Sequence, residues 1–321
     1  MRIRIYPYRV GSQSANLLRD TFQQFGFDAK LLRREGRSRF QPREGDLIIN
    51  WGSTNDLPWD AVPILHATDA IRAATSKLLT FRRLEDAEVA HVTYTTDSVV
   101  ARQWHDNGEG VYDRTLDRGR SGRGIVFLPG DSDEWIDAPL YTRQGVGREY
   151  RVHVVGGKVV RVQKRYKEAD DHPIRSHDNG YRFIIDGFKR PKGLKKIAVN
   201  AVSALGLDFG AVDVVNAMGR NGERRPRVLE VNTAAGLEGT TVEHYVRVMI
   251  EEYIPEERRH PIVPEPAESN DHRDDEDPIP AVDVDEGWVD EDGEDWNEDN
   301  CDHGACLDDC RTCCDCHEPL S

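Results

Sequence analysis

The chain has 321 residues, 38% of them hydrophobic, and a formal net charge of −15, enough for a sizeable core in about two domains. Residues 261–321 carry 22 acidic side chains against two arginines while residues 1–260 carry 36 acids and 41 bases, a balance too small and diffuse to specify a nucleic-acid partner. A body without cysteine excludes a disulfide-stapled secreted fold, and with no stretch near the ~20 apolar residues of a membrane span a cytoplasmic protein with no membrane partner is expected.

In chain order, "RIRIYPY" (2–8) predicts a strand. "SANLLRDTFQQFG" (14–26) predicts a helix with Leu18, Phe22 and Phe25 at helical spacing and Gly26 as its stop. "DLIINWG" (46–52) is a short buried strand, and the three together predict a βαβ-type module over residues 1–70 without a GxGxxG turn. "DAIRAATSKLLTFRRLEDA" (69–87) has the spacing of one helix. "GVYDRTL" and "GIVFL" are strand candidates on either side of a glycine-rich loop, and "EYRVHVV" and "KVVRVQKRY" flank Gly156-Gly157 as a hairpin. "LKKIAVNAVSALGL" (194–207) predicts a helix, "GAVDVVNAM" and "RPRVLEVNT" a second strand pair turning at Asn221-Gly222, and "TTVEHYVRVMIEEYI" a helix that ends the body near residue 255. The segment beyond is rich in Pro, Asp and Glu and poor in aliphatics, so disorder is expected there.

"TLDRGRSGRGIVFLPG" (115–130) has the composition of a phosphate-cradling loop. Walker and Rossmann turns open helices, whereas "IVFL" after this loop is a strand signal, so both of those folds are disfavoured. A glycine hairpin can instead close over phosphates as a lid through backbone N–H groups, the Ser121 hydroxyl and the Arg123 guanidinium. The bland alternative is an exposed basic loop.

A second constellation bears on that choice. Glu230 and Asn232 are two apart in "VLEVNT" and so share one face of a strand, and Asp213 in "AVDVV" can reach the same side. Val212, Val214, Leu229 and Val231 would form the opposite, apolar face. Two carboxylates and a carboxamide are hard oxygen ligands of the kind Mg²⁺ takes, with phosphates and water completing the shell.

In order and content these motifs resemble the ATP-grasp superfamily, and within it the branch containing the ribosomal-protein glutamate ligases. The resemblance rests on "TSKLLTF", "GRSGRGI", "APLYTRQ", "EYRVHVVGGKVV", "IRSHDNG" and "AVDVV…VLEVNTAAGLEG", and spans residues ~1–250. It implies an α+β / α/β, ATP-grasp fold: an N-terminal βαβ pre-grasp module (1–70) and an ATP-grasp domain (71–255) with a lid subdomain and a C-terminal antiparallel-sheet subdomain. A disordered acidic, Cys-rich tail (256–321) follows. It implies ATP and Mg²⁺ or Mn²⁺ as cofactors. By position, Lys77 and Arg114 match phosphate-binding groups, and Ser121, Gly122, Arg123 and Gly124 match the lid. Leu140, Tyr141 and Thr142 match the adenine hinge, and Asp213, Glu230 and Asn232 the metal ligands. Glu149, Arg151, Lys164, Arg165, Arg175 and Asn179 match the lining that holds ribose, γ-phosphate and carboxylate substrate. Arg151, Arg165 and Arg175 take the catalytic charge-neutralising role, and Glu149 and Lys164 lie on the nucleotide side. Arg175 and Asn179 lie on the substrate side.

The activity implied is ATP-dependent carboxylate–amine ligation through an acyl phosphate, with a peptide or protein substrate favoured over small carboxylate and amine substrates. The alternative is a non-ligating ATP-binding module whose tail serves as a metal-binding or partner-docking arm. Two positions depart from the family pattern: Arg114 where Lys is common, and Ala235 where Pro is common. Arg and Lys are not interchangeable on phosphate. His66, His91, His105 and His153 lack metal spacing, and Trp51, Trp59, Trp104 and Trp135 read as packing residues. In the tail, Cys301, Cys306, Cys310, Cys313, Cys314, Cys316 and His317 offer thiolate and imidazole ligands for Zn²⁺, without paired CxxC spacing.

Overall fold

The computed structural model describes residues 1–33, 40–59, 62–116, 124–130, 132–170, 172–219 and 222–259. The lid residues Ser121, Gly122 and Arg123, the Asn221 side of the expected turn, and the tail with its cysteines and candidate Zn²⁺ ligands lie outside them.

Strand β1 (Arg2–Pro7), helix α1 (Gln13–Gln24) and strands β2 (Asp28–Leu31), β3 (Leu47–Trp51) and β4 (Ile64–Leu65) open the chain. The strands form a parallel sheet in the order β2-β1-β3-β4. Every residue of β3 is buried, as expected of a parallel strand covered on both faces. Ser12 caps α1, its Oγ accepting the Ala15 N–H at 3.4 Å, and Leu18 and Phe22 fill the interior at the spacing read from sequence.

The helix expected over residues 69–87 is two helices, α2 (Thr68–Thr75) and α3 (Lys77–Asp86). Ser76 between them is extended (φ −89°, ψ 119°), and its Oγ accepts the Leu79 N–H at 3.3 Å. A serine that satisfies an orphan N–H of the next turn favours a new helix start over continuation. Helical periodicity alone cannot see this break, because α2 and α3 both bury apolar residues.

Next come β5 (Tyr94–Thr95), α4 (Ser98–Asp106), β6 (Val111–Arg114), β7 (Ile125–Leu128) and β8 (Leu140–Arg143). They make an antiparallel sheet, β5-β8-β6-β7, in which β6 and β7 pair from Val111↔Leu128 to Arg114↔Ile125. This is the strand–loop–strand context expected around the glycine-rich loop. Gly124 closes the described end of that hairpin at φ +73°, where a Cβ would meet the Leu116 side chain at 2.7 Å.

The remaining strands are β9 (Gly147–Val155), β10 (Lys158–Tyr166), β11 (Arg182–Ile184), β12 (Phe209–Met218) and β13 (Arg224–Asn232), with α5 (Leu194–Ala204) between β11 and β12 and α6 (Thr241–Tyr253) after β13. They form an antiparallel sheet in the order β11-β10-β9-β12-β13. The β9–β10 turn uses Gly156 and Gly157, both at positive φ (+56° and +76°), the conformation of a two-residue hairpin loop. One face of this sheet packs Val152, Val154, Val212 and Val214 against α3 and α5. At one end of the sheet Val155 and Phe209 join a second core with α1, α6 and the parallel sheet. Beside that core the same face carries Arg151, Arg165, Asp213 and Glu230, with His153 and Gln163 between them and the core.

Candidate active site

Arg151 on β9, Asp213 on β12 and Glu230 on β13 occupy one row across three adjacent strands, since Arg151 pairs with Asp213 and Asp213 with Glu230. Residues in register on neighbouring strands point to the same face. The three side chains therefore converge, as expected for Asp213 and Glu230. Asn232 follows two residues on and donates from Nδ2 to Glu230 Oε1 at 3.1 Å. A register shift at Asp213/Val214 leaves Leu229 as the extra residue of a bulge, the kind of local irregularity that re-aims side chains.

Each carboxylate has cations on it. Arg151 donates to Asp213 through Nε (2.6 Å to Oδ1) and Nη2 (2.7 Å to Oδ2), and Arg165 reaches Oδ2 at 3.1 Å. Lys77, the first residue of α3, places Nζ 2.5 Å from Glu230 Oε2. The Lys77 charge holds the Glu230 carboxyl well below the usual carboxylate range. Glu149 lies 3.5 Å from both Arg165 and Arg175, and burial pushes its carboxyl up against that attraction. Arg175 also forms a two-point bridge to Asp170. Arg165 further donates to the Arg175 carbonyl, which ties β10 to the loop that carries Arg175.

Across the cleft, Arg114 is buried at the end of β6, donates from Nε to Thr142 Oγ1 at 3.3 Å, and burial lowers its pKa. Leu140, Tyr141 and Thr142 lie on β8, an interior strand between β5 and β6, and all three are buried. Thr142 thus meets Arg114 through its side chain, and the chain leaves the ladder only after Arg143.

Of two other expected lining residues, one faces away from the row and one braces the loop that carries Arg175. Lys164 pairs with Tyr150, which belongs to the core on the α5 face, so Lys164 projects from the opposite face to Arg151. Strand alternation gives the cleft to its neighbour Arg165 instead. Asn179 donates from Nδ2 to the Ile174 carbonyl at 2.7 Å, bracing the 172–180 loop from within. Three participants were not anticipated. Tyr112, two residues before Arg114 and on the same face of β6, donates its hydroxyl to the Pro173 carbonyl at 2.8 Å. Asp170 anchors Arg175. Phe183, on the unanticipated strand β11, lies under both cleft arginines, its ring centre 4.4 Å from Arg151 Cζ and 4.9 Å from Arg165 Cζ. The alternation of β6 could have identified Tyr112; nothing local identifies Phe183.

Among the described residues no three His, Cys, Asp or Glu side chains gather as a metal cage. Asp213, Glu230 and Asn232 supply oxygen donors from one face, which suits a hard cation that takes one or two carboxylates and completes its shell with phosphate oxygens and water. No helix among the described residues is long and apolar enough to cross a membrane.

No known family's sequence profile matches the chain. Over 99 residues, 31% of its length, it is 36% identical to a probable alpha-L-glutamate ligase of Parasynechococcus marenigrum, of which it spans 20%. Its fold is similar to that of the ATP-grasp ligase PsnB in complex with a minimal precursor (TM-score 0.57, 15% identity, 78% of this chain and 100% of that one). It is likewise similar to a RimK domain protein of Sphaerobacter thermophilus (TM-score 0.52, 16% identity, 77% and 98%). The chain therefore has an ATP-grasp fold, and about a third of its sequence is similar to part of the alpha-L-glutamate ligases.

Proposed function

We propose that the chain is an ATP-dependent ligase that joins a carboxylate to an amine, acting on a peptide or protein. The observation that carries the proposal is the row Arg151–Asp213–Glu230 with Asn232, contacted by Lys77 and Arg165, with Arg175 beyond it sharing Glu149 with Arg165. Such a set holds metal and neutralises polyphosphate, and it contains no activated nucleophile of its own. The PsnB structures with Mg, ADP and precursor support the same pairing of nucleotide and peptide.

On this reading Asp213, Glu230 and Asn232 would hold Mg²⁺, which would draw charge from the phosphate oxygens. Lys77 and Arg114 bind phosphates from opposite walls. The substrate carboxylate oxygen attacks the γ-phosphorus, the bond to ADP breaks, and an acyl phosphate forms. Arg151, Arg165 and Arg175 neutralise the charge that builds on the transferred group. The amine nitrogen then attacks the acyl carbon, phosphate leaves, and a proton is lost from nitrogen. Residues 1–70 and 71–255 serve as the pre-grasp and ATP-grasp parts.

The test is ADP release and intact-mass analysis with acidic peptides and a panel of amines. A mass gain equal to the amine less water, lost in Asp213→Asn and Glu230→Gln, supports the proposal. Tight ATP binding without turnover of any carboxylate and amine pair would overturn it in favour of a non-ligating nucleotide module.

A further inference from the structure

Every carboxylate oxygen of the candidate metal site is occupied by a group of the protein itself. Asp213 Oδ1 accepts from Arg151 Nε at 2.6 Å, and Oδ2 accepts from Arg151 Nη2 at 2.7 Å and Arg165 Nη2 at 3.1 Å. Glu230 Oε2 accepts from Lys77 at 2.5 Å and Oε1 from Asn232 at 3.1 Å. A carboxylate oxygen can accept more than one bond, so a cation entering this site competes by charge repulsion with guanidinium and ammonium groups that are largely withdrawn from water, and they must give way for it to bind closely. A buried charge stripped of its partner is costly, so displacement is favourable only if the released cations find new anions at once.

The charge balance of the cleft points the same way. Lys77, Arg114, Arg151, Arg165 and Arg175 contribute five positive charges, and Glu149, Asp170, Asp213 and Glu230 four negative ones, leaving a surplus of one. A divalent cation alone would raise that surplus to three. A polyphosphate arriving with it brings the anionic oxygens that Lys77, Arg151 and Arg165 need when they leave the carboxylates. The ring of Phe183 lies 4.4 and 4.9 Å from the two guanidinium carbons, a contact that favours both arginines staying beside the site.

We infer that Arg151, with Arg165, makes metal binding conditional on nucleotide: the arginines act as internal counter-ions of Asp213 that a divalent cation replaces only when phosphate oxygens take them over. The inference rests on the nucleotide and metal reading above and deepens it, making Arg151 the residue that sets metal affinity in the nucleotide-free protein. It predicts that removing a counter-ion creates a metal site that works without nucleotide.

The experiment measures protein-bound Mn²⁺ by water-proton relaxation enhancement on the full chain, with and without a non-hydrolysable ATP analogue. The wild type is expected to bind Mn²⁺ weakly alone and tightly with the analogue. Arg151→Met is expected to bind it without nucleotide at least about tenfold more tightly than the wild type, because a unit positive charge beside the metal has gone. Arg165→Met, which removes the longer contact, is expected to show a smaller gain in the same direction and serves if Arg151→Met does not fold. Asp213→Asn is expected to abolish both modes. Tight nucleotide-free Mn²⁺ binding by the wild type would overturn the inference while leaving the metal site standing. So would a folded Arg151→Met protein with unchanged nucleotide-free affinity. No Mn²⁺ uptake in either state would remove the metal site, and the ligase reading with it.

Discussion

Asp213 and Arg151 stand directly across from one another on adjacent antiparallel strands, joined by two hydrogen bonds of 2.6 and 2.7 Å. Side-chain exposure is 6% for Asp213 and 16% for Arg151, so the pair is shielded from solvent. Asp213→Ala leaves Arg151 and Arg165 facing each other with no carboxylate between them. The expected cost in stability is about 3–5 kcal/mol, the range for breaking one side of a buried pair. Denaturant unfolding measures it. Arg151→Met in the Asp213→Ala background is expected to restore part of the loss, because the uncompensated charge is then gone; no recovery would mean that the cost lies in packing.

Lys77 and Glu230 give a pH dependence of known sign. The Lys77 charge depresses the Glu230 carboxyl from its ordinary 4.5. A group whose folded pKa is depressed contributes stability above its unfolded pKa and loses it as pH falls through the folded value. Wild-type stability is therefore expected to decline below pH 4.5 in part through this pair, and Glu230→Gln should show a shallower decline over the same acid range. Melting temperatures at pH 6 and pH 3.5 for both proteins decide it, and parallel curves would assign the acid loss elsewhere.

The fold was largely legible because the chain obeys local rules where packing is simple. The period-two pattern of "EYRVHVV" and "KVVRVQKRY" and the paired glycines between them became β9 and β10, and Glu230 and Asn232 meet because strand alternation puts them on one face. What escaped detection depended on distant partners. Ser76 divides a periodic segment because its side chain takes an N–H three residues on, a choice that periodicity does not register. Lys164 and Arg165 are adjacent and both basic; only the register with Tyr150 decides which enters the cleft. Phe183 acquires its role from a three-residue edge strand that pairs with Arg165, a partner 18 residues earlier in sequence.

Asp113 shows the opposite titration behaviour. It alternates with Tyr112 and Arg114 on β6 and so points away from the cleft, where it is fully buried with neither carboxylate oxygen hydrogen-bonded. Burial pushes its carboxyl from 3.8 up to about 6, against the attraction of His105. With a raised folded pKa the penalty is absent in acid, grows as pH rises past 3.8, and is complete above about 6. Asp113→Asn is expected to stabilise the protein at pH 7.5 by about 1–3 kcal/mol, with the gain gone at pH 3.5. Urea midpoints at the two pH values give the answer, and an equal gain at both would show that charge is not the cause.

The break at Ser76 connects a local cap to the cleft. An N-cap serine replaced by alanine costs about 1 kcal/mol, and at this position the lost bond also anchors the turn that begins with Lys77. Asp97 provides a matched control: its Oδ1 accepts the Val99 N–H at 2.8 Å at the start of α4, outside the charged row. Ser76→Ala and Asp97→Ala should lose similar stability. Only Ser76→Ala should also weaken nucleotide binding, by about fivefold or more if the helix start sets the reach of Lys77 toward Glu230, since a factor of ten corresponds to about 1.4 kcal/mol. Calorimetric titration of ATP with Mg²⁺ into both variants separates the outcomes. Equal affinity in the two would show that the α2–α3 break shapes the helices without positioning Lys77.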